Sequence, residues 1–370
     1  MASFPIPDKQ TVALVRELGG PVEFVDDYPV QKPGADEVLA KVLYCGVCQS
    51  DLHTRAGTAA GPDGKPITNI KLPHIGGHEG VGRIVALGTG LPERDPSIYI
   101  GALVGIRFSS RICRRCSYCL SGQEQYCQGV GSFKPTNHLH HEDGAFQEYC
   151  CLDAGYLTLL PDDVDPVATS CTLCAGLTAY KAVKNAELKA GQWLVVSGAG
   201  GGLGQYAVQY GLAQGARVFG IDSGKQKREL VESWGAQFLD FRETKDVTGE
   251  VQKLTGGADV VIVAAGHSSA FTQAASMLRI EGTMCCIGIP PGGGKIETPV
   301  SEIVIKGLKI KGNLVGNLKE CLEAVELVRT GIVKPKTYVR PFRDLPAVYH
   351  ELEKGDIAGR VVLKIGDDPG

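Results

Sequence analysis

Cys113, Cys116, Cys119 and Cys127 stand at the spacing C-x2-C-x2-C-x7-C inside ICRRCSYCLSGQEQYC, a segment with no apolar periodicity of its own. Four thiolates so close together suit one tetrahedral ion. Zn²⁺ takes four thiolates in closed structural sites, and an iron–sulfur cluster is compatible with the same ligands. Left unligated, the four thiols would be an exposed oxidation liability. Because four protein ligands leave no open position, this site is expected to hold a lobe together rather than to react.

A second set has to be assembled from distant pieces: Cys48 in GVCQSDLH, His78 in GGHEG and Cys174 in CTLCAGLTAYK. Two thiolates and one imidazole leave a fourth tetrahedral position for water or a substrate oxygen, where zinc acts as a Lewis acid. Taken singly, a cysteine before a helix is ordinarily buried structure. The neighbours change that reading, because Asp51 and Glu79 lie beside the proposed ligands and carboxylates commonly orient ligating histidines. Ser50 and His53 add a hydroxyl and an imidazole able to carry a proton to solvent.

A third constellation is VVSGAGGGLGQYAVQ, in which Leu194-Val195-Val196 feeds Gly198, Gly201, Gly202, Leu203 and Gly204 and then a helix. The strict G-x-G-x-x-G is not met, since Ala199 stands in the first position; the working register is G-x-x-G-x-x-G from Gly198. An ordinary glycine turn would read the same alone, but a strand before and a helix after is the context a dinucleotide loop requires. The helix N-terminus then faces a pyrophosphate. Asp222 ends the next strand, where an acid bonds the adenosine ribose and repels a 2′-phosphate, so NAD is favoured over NADP. Lys225, Lys227 and Arg228 follow closely and would soften that discrimination.

The elements that must position these groups follow from rhythm along the chain. With 370 residues, 43% hydrophobic and 21% charged, two or three domains with large cores are expected. From Thr11 to about Pro161 short apolar runs separated by Gly and Pro read as a mostly β domain. After Pro161 the pattern becomes strand, Gly loop, amphipathic helix, strand, which is that of βαβ units on a parallel sheet. Strands are predicted at Trp193–Ser197, Arg217–Asp222, Ala258–Ala264 and Gly282–Ile289, with helices at Leu203–Gln214, Lys225–Trp234 and Leu318–Thr330. Past Leu308 short strands return, so the tail is expected to rejoin the first domain.

Net charge of −3 and a pI near 6.3 show no basic surface for nucleic acid or anionic membrane. No run of about 20 apolar residues occurs and the N-terminus lacks a secretory pattern, so a cytoplasmic chain with small-molecule partners is expected. Thirteen cysteines in a chain of this length point to metal or catalysis rather than to disulfides. Cys45, Cys150, Cys151, Cys171, Cys285, Cys286 and Cys321 lie mainly in apolar stretches and read as core. His138, His140 and His141 read as a solvated loop. GIPPGGGKIE is rejected as a phosphate loop, because no Ser or Thr follows Lys295.

Together, GVCQSDLH, LPHIGGHEGVG, the four-cysteine loop, DGAFQEY, CAGLTAYKA, SGAGGGLGQYAVQ, GID and LEKGDIAGRVVL resemble the zinc-dependent alcohol dehydrogenases of the medium-chain dehydrogenase/reductase family, particularly the yeast type. The resemblance covers nearly the whole chain. It implies an α/β architecture, with a GroES-like β-rich catalytic domain in residues 1–165, a Rossmann doubly wound parallel-sheet domain in 166–308, and a return to the catalytic domain in 309–370. By resemblance, Cys48, His78 and Cys174 match the catalytic zinc ligands, with Glu79 and Asp51 close by, and the four-cysteine loop the structural zinc. Ser50 and His53 match the proton relay, Asp222 and Lys227 the ribose contacts, and Arg360 a residue near the cofactor phosphates. The implied reaction is reversible hydride transfer between NAD(H) and a primary alcohol/aldehyde pair. A secondary-alcohol or polyol dehydrogenase, a biosynthetic aldehyde reductase and a non-catalytic nucleotide binder are the alternatives.

Three departures from the pattern matter. Gln49 follows Cys48 where His or Arg is frequent, removing a charge near the pyrophosphate. Phe108 replaces a usual Trp, and the Arg55–Lys71 segment is longer than in the yeast type, so the pocket is expected to admit something larger than ethanol. The short stretch from Cys127 to Phe146 resembles that of tetrameric relatives, which implies a homotetramer.

Overall fold

The computed structural model describes residues 4–369, whose strands fall mainly into a seven-stranded and a six-stranded sheet. In the first, β1 (Glu37–Gly46) pairs antiparallel with β2 (Gly80–Leu87) and β4 (Tyr149–Asp153), β2 with β3 (Leu103–Ile106), and β3 with β5 (Thr158–Leu159). β1, EVLAKVLYCG, is apolar along most of its length and buried on both faces, as a central strand must be. Its end lies against the start of β2, with Cys45 opposite Gly80. This pairing draws Cys48, just past β1, toward His78, just before β2. Gly46 is required there, because a Cβ would sit 2.2 Å from Glu79 Oε2.

The second sheet is entirely parallel. Its strands are β6 (Trp193–Ser197), β7 (Arg217–Asp222), β8 (Gln237–Asp240), β9 (Ala258–Val263), β10 (Leu278–Cys286) and β11 (Lys309–Gly312), in the order β8-β7-β6-β9-β10-β11. Chain order reverses on either side of β6, and ligands of such sheets bind in the crevice at that reversal. The glycine-rich loop leaves β6 there and enters α4 (Gly204–Ala213); α5 (Lys225–Ser233) follows β7. Upstream, α2 (Pro166–Cys171) passes through a π-helical turn, Thr172–Gly176, into α3 (Leu177–Asn185). Such turns cluster at functional positions, and this one carries Cys174.

Two boundaries differ from the sequence reading. β10 starts at Leu278 rather than Gly282 and ends before Ile289. More consequentially, β11 pairs with β10, so the parallel sheet continues past residue 308, where the return to the first domain was placed. β11 is a short edge strand, KIKG, whose two lysines, Lys309 exposed and Lys311 half-buried with its Nζ on Asn185 O, thin the apolar signal.

The chain then passes α6 (Val300–Lys306), which precedes β11, and α7 (Leu318–Arg329), before β12 (Thr337–Pro341), α8 (Leu345–Lys354) and β13 (Arg360–Lys364). α7 starts in a capping box, Asn317 accepting from Glu320 N–H and Glu320 from Asn317 N–H. β12 pairs with β13 and β13 with β1, so the C-terminal segment completes the first sheet.

The histidine trio is also corrected. His138 and His140 are only 3% and 8% exposed, and His141 is half-buried. The polar neighbours that suggested solvent instead bond inward: Asn137 Oδ1 accepts the N–H groups of Leu139 and His140, and the Asp143 carbonyl meets His138 Nδ1 at 2.8 Å. Of the remaining cysteines, Cys45, Cys150, Cys171, Cys285 and Cys321 are buried and Cys151 and Cys286 partly so, all as free thiols. Among the described residues, no helix is long and apolar enough to cross a membrane.

Candidate active site

Cys48, His78, Glu79 and Cys174 offer ligand atoms that all lie within 4.8 Å of one another, in a buried position. Asp51 organises them from the first turn of α1 (Gln49–Arg55). Its carboxylate accepts Cys48 N–H at 3.1 Å and Gly77 N–H at 3.0 Å, and meets His78 Nδ1 at 3.0 Å. One buried anion thus fixes the backbone beside two donors and orients the imidazole with Nε2 toward Cys174 Sγ, 3.3 Å away. Burial opposes charge on His78, but the Asp51 carboxylate and the Cys48 thiolate outweigh it and raise its pKa well above the usual value. A hydrogen bond from Cys174 lowers the Cys48 pKa, while Cys174 itself is raised. Such a set holds a thiolate in a buried site at neutral pH, which a divalent cation compensates.

Glu79 faces the same cluster from behind. Burial pushes its carboxyl up to about 7 against the opposing pull of Arg360, with which it forms a buried ion pair. Glu79 Oε2 and Arg360 Nε are buried without hydrogen-bond partners. Arg360 also lies under Gly202, where a Cβ would come within 2.5 Å of its Cδ. It therefore spans from the Cys48, His78 and Cys174 cluster to the glycine-rich loop, a link that sequence alone showed only as AGR in the tail.

Ser50 Oγ is 3.7 Å from Cys48 Sγ, while His53 Nδ1 meets Thr58 Oγ1 at 3.2 Å. Among the described residues no hydrogen bond joins Ser50 to His53. Burial lowers the pKa of His53. Phe108 is half-buried and packs against the apolar cluster that includes Cys48, Leu173, Cys174 and Val315. The long Arg55–Lys71 segment folds on itself through an Ala60–Pro66 bridge, and its Gly64 abuts the parallel-sheet domain, where a Cβ on Gly293 would lie 2.7 Å from Gly64 Cα.

The four-cysteine lobe differs in kind. Its Sγ atoms are separated by 3.6 Å (Cys116 and Cys119), 3.9 Å (Cys113 and Cys119) and 4.0 Å (Cys116 and Cys127). Ligands about 2.3 Å from a tetrahedral zinc stand about 3.8 Å apart, so the donors are already spaced for that ion. Backbone N–H groups of Cys116, Cys113 and Gly129 point at the sulfurs of Cys113 and Cys127. The N–H groups of Cys119 and Gln128 hold the Cys116 thiol down to about 6.

At the loop after β6, Gly198 has φ +81°, and a Cβ on Gly204 would come within 2.0 Å of Gly198 O. Among the described residues, the N–H groups of Gly202 and Leu203 make no backbone hydrogen bond and are free for an anion at the head of α4. Asp222 Oδ2 accepts Gly200 N–H at 3.0 Å and Oδ1 pairs with Lys227 at 3.0 Å. Of the three nearby cations only Lys227 reaches Asp222. Lys225 pairs with Glu229, and Arg228 turns to Glu243 at 3.1 Å and stacks over Phe238. The positive charge that would welcome a 2′-phosphate is therefore neutralised or turned away.

Residues 34–162 match the alcohol dehydrogenase GroES-like domain and residues 202–330 the zinc-binding dehydrogenase family. An alcohol dehydrogenase of Schizosaccharomyces pombe is 39% identical over 364 residues, covering 97% of this chain and 99% of that protein. Among solved structures, the alcohol dehydrogenase of Aeropyrum pernix superposes with a TM-score of 0.84 at 28% identity, over 96% of this chain and 99% of that one. The acetophenone reductase of Geotrichum candidum, solved in complex with NAD, gives 0.82 at 29% identity, over 97% and 98%. With the buried donor set, the four-cysteine lobe and the parallel-sheet crevice all in place, this chain belongs to the zinc-binding alcohol dehydrogenases of the medium-chain dehydrogenase/reductase family.

Proposed function

We propose that the protein interconverts a primary alcohol and its aldehyde with NAD(H), at the cleft between the Cys48 cluster and the glycine-rich loop. The observation that carries this reading is the convergence of Cys48, His78 and Cys174 on one buried point, with Ser50 beside it. When bound there, zinc supplies a Lewis acid that favours the alkoxide over the alcohol, and NAD supplies the hydride acceptor. The residues present fit both groups, with two thiolates, one imidazole and a compensating carboxylate at one end and unpaired N–H groups with Asp222 at the other.

Within this reading the chain has four tasks. Asp51 holds His78 in the tautomer that leaves Nε2 free. Ser50 Oγ takes the substrate's hydroxyl proton as it gives up its own. That proton reaches His53 through a bridging hydroxyl or water, since no hydrogen bond joins the two side chains among the described residues, and leaves from there to solvent. Phe108 forms an apolar wall that positions the substrate carbon and excludes water. Gly202, Leu203 and Asp222 orient the dinucleotide so that its nicotinamide faces that carbon. Cys113, Cys116, Cys119 and Cys127 hold the second zinc away from this cleft and support the lobe.

A second reading, reduction of ketones to secondary alcohols, draws on the likeness to acetophenone reductase, whose name gives it a bulky aromatic ketone. Both readings place the substrate against Phe108. Self-association also belongs to the proposal: α6 exposes Val300, Val304 and Ile305 beside the free edge of β11, an apolar surface that supports a homo-oligomer. The thirteen cysteines, free throughout, suit the cytoplasm. The test is NADH absorbance against a panel of primary, secondary and aromatic alcohols, aldehydes and ketones, with zinc per chain measured on the same sample. Turnover with two zinc ions supports the proposal; a zinc-loaded protein inert to every member overturns it.

A further inference from the structure

α4 carries two glutamines one turn apart, Gln205 and Gln209, that point neither at solvent nor at a side-chain partner. Gln205 is fully buried and Gln209 only 6% exposed. Each uses its side-chain carbonyl to accept a backbone N–H from the segment that re-enters the first domain: Gln209 Oε1 from Lys334 at 2.7 Å and Gln205 Oε1 from Lys336 at 2.7 Å. The match is geometric. Four residues of helix rise about 6.0 Å, and two residues of extended chain advance about 6.6 Å. Pro335 sits between the two donors and has no N–H of its own, so Lys-Pro-Lys presents donors only at the positions the glutamines reach. It also keeps Lys334 extended.

From this clamp a short path leads to both halves of the cleft. Lys336 O accepts Arg360 N–H at 3.0 Å, and Gly200 O, in the glycine-rich loop, accepts Gly359 N–H at 2.9 Å. Arg360 then lies under Gly202 and pairs with Glu79 behind the metal-ligating cluster. Beyond Arg360, Val361 O accepts Val47 N–H, one residue before Cys48. The helix that begins at the dinucleotide loop thus sets, through two amides, the register of the strands that carry the other half of the site. A slip of the Lys334–Lys336 segment would move Arg360 relative to Gly202 and Glu79 together.

We infer that Gln205 and Gln209 are positioning residues that lock the returning chain onto α4 and so fix the glycine-rich loop at the separation from the Cys48 cluster that dinucleotide binding and hydride transfer need. This rests on the reading of the protein as an NAD-dependent dehydrogenase. The experiment measures NADH binding by fluorescence titration, apart from turnover, together with zinc per chain, the melting midpoint, and KM for NAD against kcat. It uses wild type, Gln209→Leu, Gln205→Leu and Gln209→Glu. Wild-type protein that binds no NADH would defeat the functional reading itself, before any variant is compared.

The Leu variants, folded and zinc-loaded, are expected to bind NADH about tenfold more weakly, with KM for NAD rising alongside. Gln209→Glu keeps an acceptor oxygen for Lys334 N–H while losing the Nε2 bond to Gln205 O, and is expected to bind NADH at least about threefold more tightly than Gln209→Leu. A merely structural role would lower the melting midpoint of the Leu variants and leave NADH affinity unchanged, and that result overturns the inference. Should both Leu variants fail to fold, Gln209→Asn, which shortens the same amide by one methylene, takes their place. Wild-type NADH affinity in that variant overturns the inference equally.

Discussion

The two cysteine-bearing sites hold the same kind of donor by opposite means. In the lobe, all four sulfurs come from a stretch whose ends lie only 14 positions apart, and backbone N–H groups carry the thiolate charge. In the buried cluster, Cys174 is 96 positions from His78, and the charge on Cys48 is offset by side chains, the Cys174 thiol, Arg360 and His78. In the lobe the ligand set is supplied by one short segment, with no distant strand pairing needed to bring the donors together. The buried cluster exists only when β1, β2 and the π-turn are all in place, so its geometry can be tied to the position of a cofactor. The first arrangement suits an ion that holds structure; the second suits one whose surroundings change during a reaction.

The sharpest way to break this contrast is to remove one ligand from each site. Cys48→Ala is expected to reduce turnover on the order of a thousandfold or more, to lower zinc from two ions per chain to one, and to leave NADH binding within a few-fold of wild type. Turnover and zinc analysis of the purified variant check it. Unchanged turnover would remove the metal from the reaction.

Cys116→Ser should do the reverse. It also lowers zinc to one per chain, but its cost falls on stability, seen as a lower urea midpoint, with turnover in the cold within about threefold of wild type. Urea melts and initial rates read the two effects separately. A variant as stable as wild type would show that the lobe does not depend on its ion.

The same contrast explains what was legible in the sequence. The lobe was readable because its information is local: C-x2-C-x2-C-x7-C states its own ligand set. The strands at Trp193–Ser197 and Arg217–Asp222, with the glycine-rich loop between them, were readable for the same reason. What escaped depends on contacts between distant segments. β11 was missed because a four-residue edge strand with two lysines carries little apolar signal. His138 and His140 were assigned to solvent because their polar neighbours satisfy each other rather than water. Nothing local to Gln205 or Gln209 tells that a returning segment lies against them, and the pairing of Arg360 with Glu79 is equally silent in the sequence. The π-turn around Cys174 likewise has no local signature, being set where α2 and α3 pack against the first sheet and α4.

Asp51→Asn sharpens the comparison further, since it keeps the shape of the hub and removes its charge. It is expected to weaken zinc at the buried cluster about 10–100-fold while the four-cysteine ion stays in place. Competition with a graded chelator, with zinc counted at each concentration, separates the two populations. Loss of both ions in parallel would mean that the sites are not independent.

The smallest expected effect concerns the buried histidines of the segment after the lobe. Burial, reinforced by His141, His78 and His74, pushes His140 down to about 4. An unfolded histidine titrates near 6.5, so below that pH the unfolded chain takes up a proton that folded His140 refuses until about pH 4. Stability from this group is therefore complete above pH 6.5 and is lost progressively as pH falls toward 4. Between pH 7 and pH 5 the loss amounts to about 2 kcal/mol. His140→Gln cannot take that proton in either state, so its urea-melt stability should fall less than the wild type's over the same interval, by up to about that amount. Because the lobe's thiolates also protonate in acid, the difference between the two proteins, rather than the slope of either, isolates His140. Equal losses would mean that the ring is hydrated in solution and that the segment from His138 to His141 opens more readily than its burial implies.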